Sequence, residues 1–181
     1  MIATHNSDNA YSIESYDPLW IEKFASLKKM LHEVFGDKAL AIEHVGSTAV
    51  PGMKAKPFVD VLVTVEKVES FDREKELLGK RGYEWKENYV APDTLFFYVL
   101  QGSKKIENIH VCAKSSDQAA RLLNMRDYLR AHPDKSAEYV HLKENLNKKF
   151  PDDYAAYRAG KRDFLEEINM LARDWRESLQ K

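Results

Sequence analysis

Residues 42–65, IEHVGSTAVPGMKAKPFVDVLVTV, decide how the rest of the chain is read. A short strand-like run, 39–45, ends at Gly46-Ser47, and a second strand, 57–65, follows the Pro51-Gly52 break. Its centre, Phe58-Val59-Asp60-Val61-Leu62-Val63, is apolar enough to be buried on both faces, apart from Asp60. A carboxylate in such a strand is costly unless it is paired or holds a metal. A short Gly-Ser turn leaves backbone N–H groups available to an anion, most often a phosphate. A phosphate cradle beside an embedded carboxylate points to a phosphate and a cation meeting at one place.

The 181 residues suit one domain, or one domain with an appended helical part, and 44% hydrophobic residues can fill its core. A net charge of −1, with 31% charged residues, gives no overall field toward nucleic acid or membrane. A local basic groove is compatible with that balance. A large nucleic-acid footprint is not, although a tRNA end in a cleft needs little area. The single cysteine, Cys112, permits no internal disulfide and fits a reducing compartment, where it reads as a small core residue. The start, MIATHNSDNAYS, shows no signal-peptide pattern, and no apolar run is long enough to span a bilayer. The expected location is cytoplasmic, with no membrane partner.

Residues 1–12 are polar and expected to be loose. Asp17-Pro18 opens a helix in which Trp20, Phe24, Leu27, Leu31 and Val34 recur at helical spacing, and Gly36 stops it. A short helix is expected over 71–81, closed by Gly82. Strands over 94–100 and 106–113 are joined as a hairpin by residues 101–105. After Ser115 the pattern is helical, with breaks at His132-Pro133-Asp134 and Pro151-Asp152 that separate three helices. The last is expected to be long, with Tyr157, Phe164, Ile168, Leu171 and Trp175 on one stripe. The fold expected is α+β, with an αβ core over 1–113 and a helical part of the same domain over 114–181.

Several side chains could carry chemistry. Asp60 shares a strand face with Phe58, Leu62 and Thr64. It reads as a ligand for a divalent cation that touches phosphates, or as a carboxylate paired with lysine or capping a helix. His44, on a face with Leu40 and Ile42, and His110, beside Asn108 and Cys112, read as core residues or as ligand and base. Lys56, before Pro57, is a solvated lysine or folds back to neutralise a phosphate at Gly46, Ser47 and Thr48. Lys161 lies on the apolar stripe four residues after Tyr157, either snorkelling to the rim or reaching an anion in a cleft. Arg126 and Arg130, with Lys143 one turn after Tyr139, suggest a helical half that presents cations toward the αβ half. No GxxxxGK[ST], GxGxxG, CxxC, HExxH or GxSxG string is present, so P-loop, Rossmann and structural-zinc readings lack support.

The chain resembles the GrpB family, placed in the nucleotidyltransferase superfamily. The resemblance rests on Glu43-His44-Val45-Gly46-Ser47-Thr48, Val50-Pro51-Gly52, Lys56-Pro57 and Asp60. Further matches are Ile109-His110-Val111, Arg126 through Arg130, His132-Pro133, Tyr139, Lys143, and Tyr157 with Lys161. It implies a nucleotidyltransferase-like mixed sheet with flanking helices and a C-terminal helical part. It implies a metal-assisted nucleotidyl or phosphoryl transferase acting on a small molecule, protein or RNA, with Mg²⁺ or Mn²⁺ as cofactor.

In that pattern Gly46, Ser47 and Thr48 hold phosphate, with Lys56, Arg126, Lys143, Tyr157 and Lys161 around the nucleotide. Asp60 holds the metal, and His44 or His110 serves as ligand or base. The second carboxylate position falls on Leu62 and the later-strand position on His110, a poor donor set for Mg²⁺. Hence the alternative: a non-catalytic module binding a nucleotide or phosphorylated metabolite. The occurrence of such domains fused to dephospho-CoA kinase suggests coenzyme A metabolism as one setting.

Overall fold

The structure, a computed structural model, describes residues 12–102 and 104–180. Of residues 1–12, expected to be loose, all but Ser12 lie outside these described residues. The chain runs α1 (Leu19–Phe35), β1 (Ala41–Val45), β2 (Val59–Val65), α2 (Asp72–Gly79), β3 (Glu84–Glu87), β4 (Thr94–Gln101) and β5 (Lys104–Ala113). Four helices follow, α3 (Asp117–Ala131), α4 (Pro133–Lys149), α5 (Tyr154–Ala159) and α6 (Arg162–Ser178). The sheet order is β1-β2-β5-β4-β3. Only the β2–β5 pair is parallel; β1–β2, β5–β4 and β4–β3 are antiparallel.

Alternation along the strands sorts the core. Val59, Val61, Val63 and Val65 of β2 join Ile109 and Val111 of β5, and Leu95 and Phe97 of β4, on one face. Trp20, Leu27, Leu31, Val34 and Phe35 of α1 and Leu78 of α2 cover them. Burying each such side chain contributes about 1.5–3 kcal/mol. Asp17 caps α1 as its position suggests, its Oδ1 accepting from the Leu19 amide at 2.9 Å.

The opposite face is divided. At one end Val45, Leu62 and Cys112 meet Ala119 of α3, with Leu122 and Leu123 against them. A third cluster joins Val50 and Met53, from the loop after β1, to Tyr128, Leu129, Tyr139 and Ile168 of the helices. That loop is therefore embedded in the helical half.

Two expectations differ from the structure. Strand β3, EWKE, has all four residues exposed, so it shows no apolar alternation; it forms because β4 offers a free edge. The long last helix is two, α5 and α6, meeting at Gly160, where a Cβ would lie 2.4 Å from Leu146 Cδ2. Tyr157 therefore sits on a different helix from Phe164, Ile168, Leu171 and Trp175. Among the described residues, no helix is long and apolar enough to cross a membrane.

Candidate functional site

Strand β1 ends at Val45, and Gly46 turns the chain with φ +73°, in the left-handed region that glycine favours. A Cβ at this position would lie 2.6 Å from Asp60 Oδ2, so the turn rests directly against that carboxylate. Residues Ser47–Ala49 then make one turn of 3-10 helix. Two arginines of α3 hold it: Arg130 donates from Nε and Nη2 to the Ala49 carbonyl at 2.9 and 2.7 Å. Arg126 Nη1 donates to Glu43 Oε2 at 2.7 Å and to the His44 carbonyl at 3.1 Å.

Arg126 also bonds Asp127, which Arg176 grips from α6. With two carboxylates on its guanidinium, Arg126 is committed to bracing the turn, not to an incoming phosphate. Thr48 is likewise committed: it is buried, and its hydroxyl lies 3.0 Å from His44 Nε2. Of the three turn residues, Ser47 is the one whose hydroxyl meets a cation of the helical half.

The two strand histidines diverge. His44 lies on the α1 side, stacked on Phe24 at 4.9 Å. Burial, with Arg130 and Arg126 nearby against the attraction of Asp60, lowers its pKa to about 4, so it is neutral at pH 7. His110 lies on the opposite face with Asp60, its Nε2 3.6 Å from Asp60 Oδ1 and its ring beside Phe96 at 5.0 Å.

The residue directly across from Asp60 on β5 is Asn108, whose Nδ2 donates to Asp60 Oδ1 at 2.8 Å. His110 is instead paired with Leu62. Two buried acceptor-capable atoms here, Asn108 Oδ1 and His110 Nδ1, have no hydrogen-bond partner among the described residues. An amide four places before a cysteine carries no motif, so only the register reveals Asn108 as the partner of Asp60.

A two-ion carboxylate site does not fit these residues. Leu62 is fully buried among Val45, Cys112 and Ala119, leaving its position neither the chemistry nor the room for a ligand. The neighbour of Asp60 is an amide that already occupies one carboxylate oxygen. Among the described residues, no group of three or more His, Cys, Asp or Glu could hold a metal ion.

Cations gather instead. Lys143 of α4 is buried at 3% exposure and donates to the Lys54 carbonyl, with Ser47 Oγ 3.4 Å from its Nζ. Its ammonium also faces the Tyr139 ring at 4.6 Å. Lys161, between α5 and α6, lies 4.5 Å from the centre of the Tyr157 ring. Lys56 lies over Tyr154 at 3.7 Å and Tyr157 at 4.6 Å. Among the described residues, Lys143 and Lys161 rest on aromatic rings and not on carboxylates.

Burial comes first in lowering all three. Repulsion from Lys161 adds to it at Lys143 and Lys56, bringing each to about 7. Repulsion from Arg158 adds at Lys161, bringing it to about 8 against the pull of Asp60. A lysine whose charged form is held so poorly favours an arriving anion that restores it. Arg158 and Tyr154 were not singled out in the sequence; their signal is the turn Tyr154-Ala155-Ala156-Tyr157-Arg158, which sets them beside Lys161.

The fold class is that of nucleotidyltransferase-like proteins, a mixed sheet with flanking helices and C-terminal helices. A chain of the GLD-2/RNP-8 complex shares it at TM-score 0.52 and 14% identity, over 80% of this chain and 58% of that one. Within that class the chain belongs to the GrpB protein family, which it matches over residues 10–170.

The crystal structure of conserved protein GrpB from Enterococcus faecalis superposes at TM-score 0.84 with 29% identity, covering 91% of this chain and 99% of that one. The UPF0157 protein YqkA of Bacillus subtilis is 35% identical over 162 residues, 89% of this chain and 47% of that protein. This chain thus spans about half the length of that relative. A dephospho-CoA kinase of Mycolicibacterium paratuberculosis is 30% identical over 90% of this chain and 46% of its own length.

Proposed function

We propose that the chain binds a nucleotide, or a phosphorylated metabolite of similar size, between the Ser47 turn and the helices, neutralising phosphate with lysines. The observation that carries this is Lys143: a buried ammonium beside the Ser47 hydroxyl, resting on Tyr139 and a backbone carbonyl. Lys161 and Lys56 on the rings of Tyr157 and Tyr154 extend the cation set. Such parked cations supply the charge that metal ions supply at carboxylate-rich sites. The partial match to a dephospho-CoA kinase supports coenzyme A precursors among the candidate ligands.

The test is a thermal-shift panel of nucleoside triphosphates, coenzyme A precursors and inorganic phosphate, with EDTA or with Mg²⁺ or Mn²⁺. A ligand at a hundred times its Kd adds about 2.7 kcal/mol to stability, a shift of several degrees. The expected result is a shift in EDTA that survives Asp60→Asn and is lost in Lys143→Gln. A shift that needs the metal and disappears in Asp60→Asn would overturn the reading.

That second outcome corresponds to transfer chemistry, for which the Asp60–His110 approach at 3.6 Å is the favouring observation. Asp60 would then share one Mg²⁺ or Mn²⁺ with the ligand's own phosphates, and His110 would take the proton of an attacking hydroxyl. A transferred group detected with labelled nucleotide would establish it.

A further inference from the structure

A groove of about 740 Å³ runs along the β4–β5 hairpin, lined by Lys56, Phe58, Lys86, Tyr98, Lys105 and Tyr154 among others. Lys56 and Tyr154 line it, and Lys56 also faces the Tyr157 ring that carries Lys161, so the groove borders the proposed phosphate site. The groove is strongly basic: Lys23 and Lys104 also line it, making five lysines with Lys56, Lys86 and Lys105. Its nearby carboxylates are engaged, Glu107 by the Tyr83 hydroxyl and Glu14 by the Ser12 hydroxyl.

One irregularity of the sheet aims a lysine into it. Val99 pairs with Glu107 but Leu100 pairs with Lys105, so β5 carries one extra residue, Ile106, at a bulge. A bulge reverses the facing of the residues beyond it. Lys105 is thereby turned onto the face that carries Tyr98, and its Nζ lies 4.6 Å from that ring and 5.2 Å from Phe96. Lys86 reaches the same ring from β3, at 5.5 Å. Burial, together with repulsion from Lys86 and Arg158, lowers the pKa of Lys105, the condition seen at Lys143.

The spacing then matters. Lys105 precedes Asn108 by three residues, about 10 Å along a strand. Asn108 and Asp60 lie between it and the Ser47 turn, offering a donor and an acceptor suited to sugar hydroxyls. A ligand that reaches from Ser47 and Lys143 to Lys105 therefore extends past Asp60 and Asn108.

Building on the proposed phosphate site, we propose that Lys86, Lys104 and Lys105 form a second phosphate subsite, and that the ligand is a nucleoside phosphorylated on both sides of its ribose. One phosphoryl group or chain lies at Ser47, Lys143 and Lys161, the sugar lies beside Asp60 and Asn108, and the other phosphoryl group enters the groove.

Isothermal titration tests this with the 5′-monophosphates and 3′,5′-bisphosphates of adenosine, guanosine, cytidine and uridine, and with a 5′-phosphorylated dinucleotide. For at least one base, the wild-type chain is expected to bind the bisphosphate at least tenfold more tightly than the monophosphate. Lys105→Gln should reduce that ratio to below threefold. Lys86→Gln, at the exposed edge strand, should reduce it in the same direction and guards against a folding defect at Lys105.

Equal affinities for mono- and bisphosphate in the wild type overturn the second subsite while leaving the first in place. So does a gain that survives both substitutions. A dinucleotide that gains as much as the bisphosphate makes the partner a nucleic-acid strand and overturns the small-ligand assignment. Binding of no phosphorylated probe overturns both this subsite and the phosphate site on which it rests.

Discussion

The two faces of the central sheet solve different problems. Toward α1 and α2, every inward position of β2 is valine and its neighbours are isoleucine, valine, leucine and phenylalanine. Toward the C-terminal helices, the same strands carry an apolar patch with Leu62 and Cys112 and, beside it, a polar patch of Asp60, Asn108 and His110, the last level with Leu62. The first face is apolar along β2, β5 and β4, with His44 of β1 as its buried exception, and it sets the register, because a one-residue slip would bury the polar set. The second face is split, with α3 packing on its apolar end and lysines of α4 and α5–α6 gathering around the polar end. A strand with one uniform face can tolerate a chemically awkward residue on the other.

The most severe way to break this division is to move the polar end into the dry end. Leu62→Asp supplies the carboxylate that a two-ion site would use, but places it among Val45, Cys112 and Ala119 with no cation beside it. A loss of about 3–5 kcal/mol is expected in urea unfolding, with no gain of metal binding by calorimetry. An unchanged midpoint would mean that this end is not closed to charge.

The boundary itself is tested by Gly46→Ala. Its Cβ meets Asp60 Oδ2 at 2.6 Å and its φ lies in the left-handed region, so a cost of about 2–3 kcal/mol is expected. Adding Asp60→Gly should recover the part due to the close contact and leave the part due to φ. Equal stability of the single and double variants would show that the turn does not lean on Asp60.

Acid sharpens the comparison from the dry side. His44 is folded with a pKa of about 4, below its ordinary value near 6.5. The unfolded chain therefore binds the proton first, and stability falls as pH drops from 6.5 toward 4. About 1–2 kcal/mol should be lost by pH 5, and His44→Gln should flatten that slope in pH-dependent denaturation curves.

The smallest expected effect has the opposite sign. Lys143→Met replaces a buried cation and should raise stability by about 1 kcal/mol while abolishing phosphate-induced stabilisation. If the substitution destabilises at pH 7 and phosphate still raises Tm, the lysines are structural and the polar end is not a ligand site.

Most of the αβ half was legible from local pattern. The strand carrying Asp60, the hairpin of β4 and β5, the helix capped by Asp17 and the two C-terminal breaks at His132-Pro133 and Pro151-Asp152 all follow from alternation and punctuation, whereas the break at Gly160 does not. The candidate site was legible in part. Lys143, one turn after Tyr139, lies beside the Ser47 turn, while Lys161 and Lys56 lie over the rings of Tyr157 and Tyr154. The helix face of Arg126 suggests a phosphate ligand, yet its guanidinium bonds Glu43 and Asp127. β3 was missed because a strand formed only by edge pairing carries no apolar period.

By itself, the sequence determined the family strings, the polar residue in an apolar strand, and the absence of a second carboxylate at Leu62. Those are properties of residue type and local order, and short-range sterics and hydropathy express them without reference to the rest of the chain. Tertiary structure alone decided that Asn108 faces Asp60, that His44 and His110 lie on opposite faces, and that a bulge turns Lys105 toward Tyr98. Each depends on the register between strands distant in sequence, which is set by the packing of the uniform face and carries no local signature.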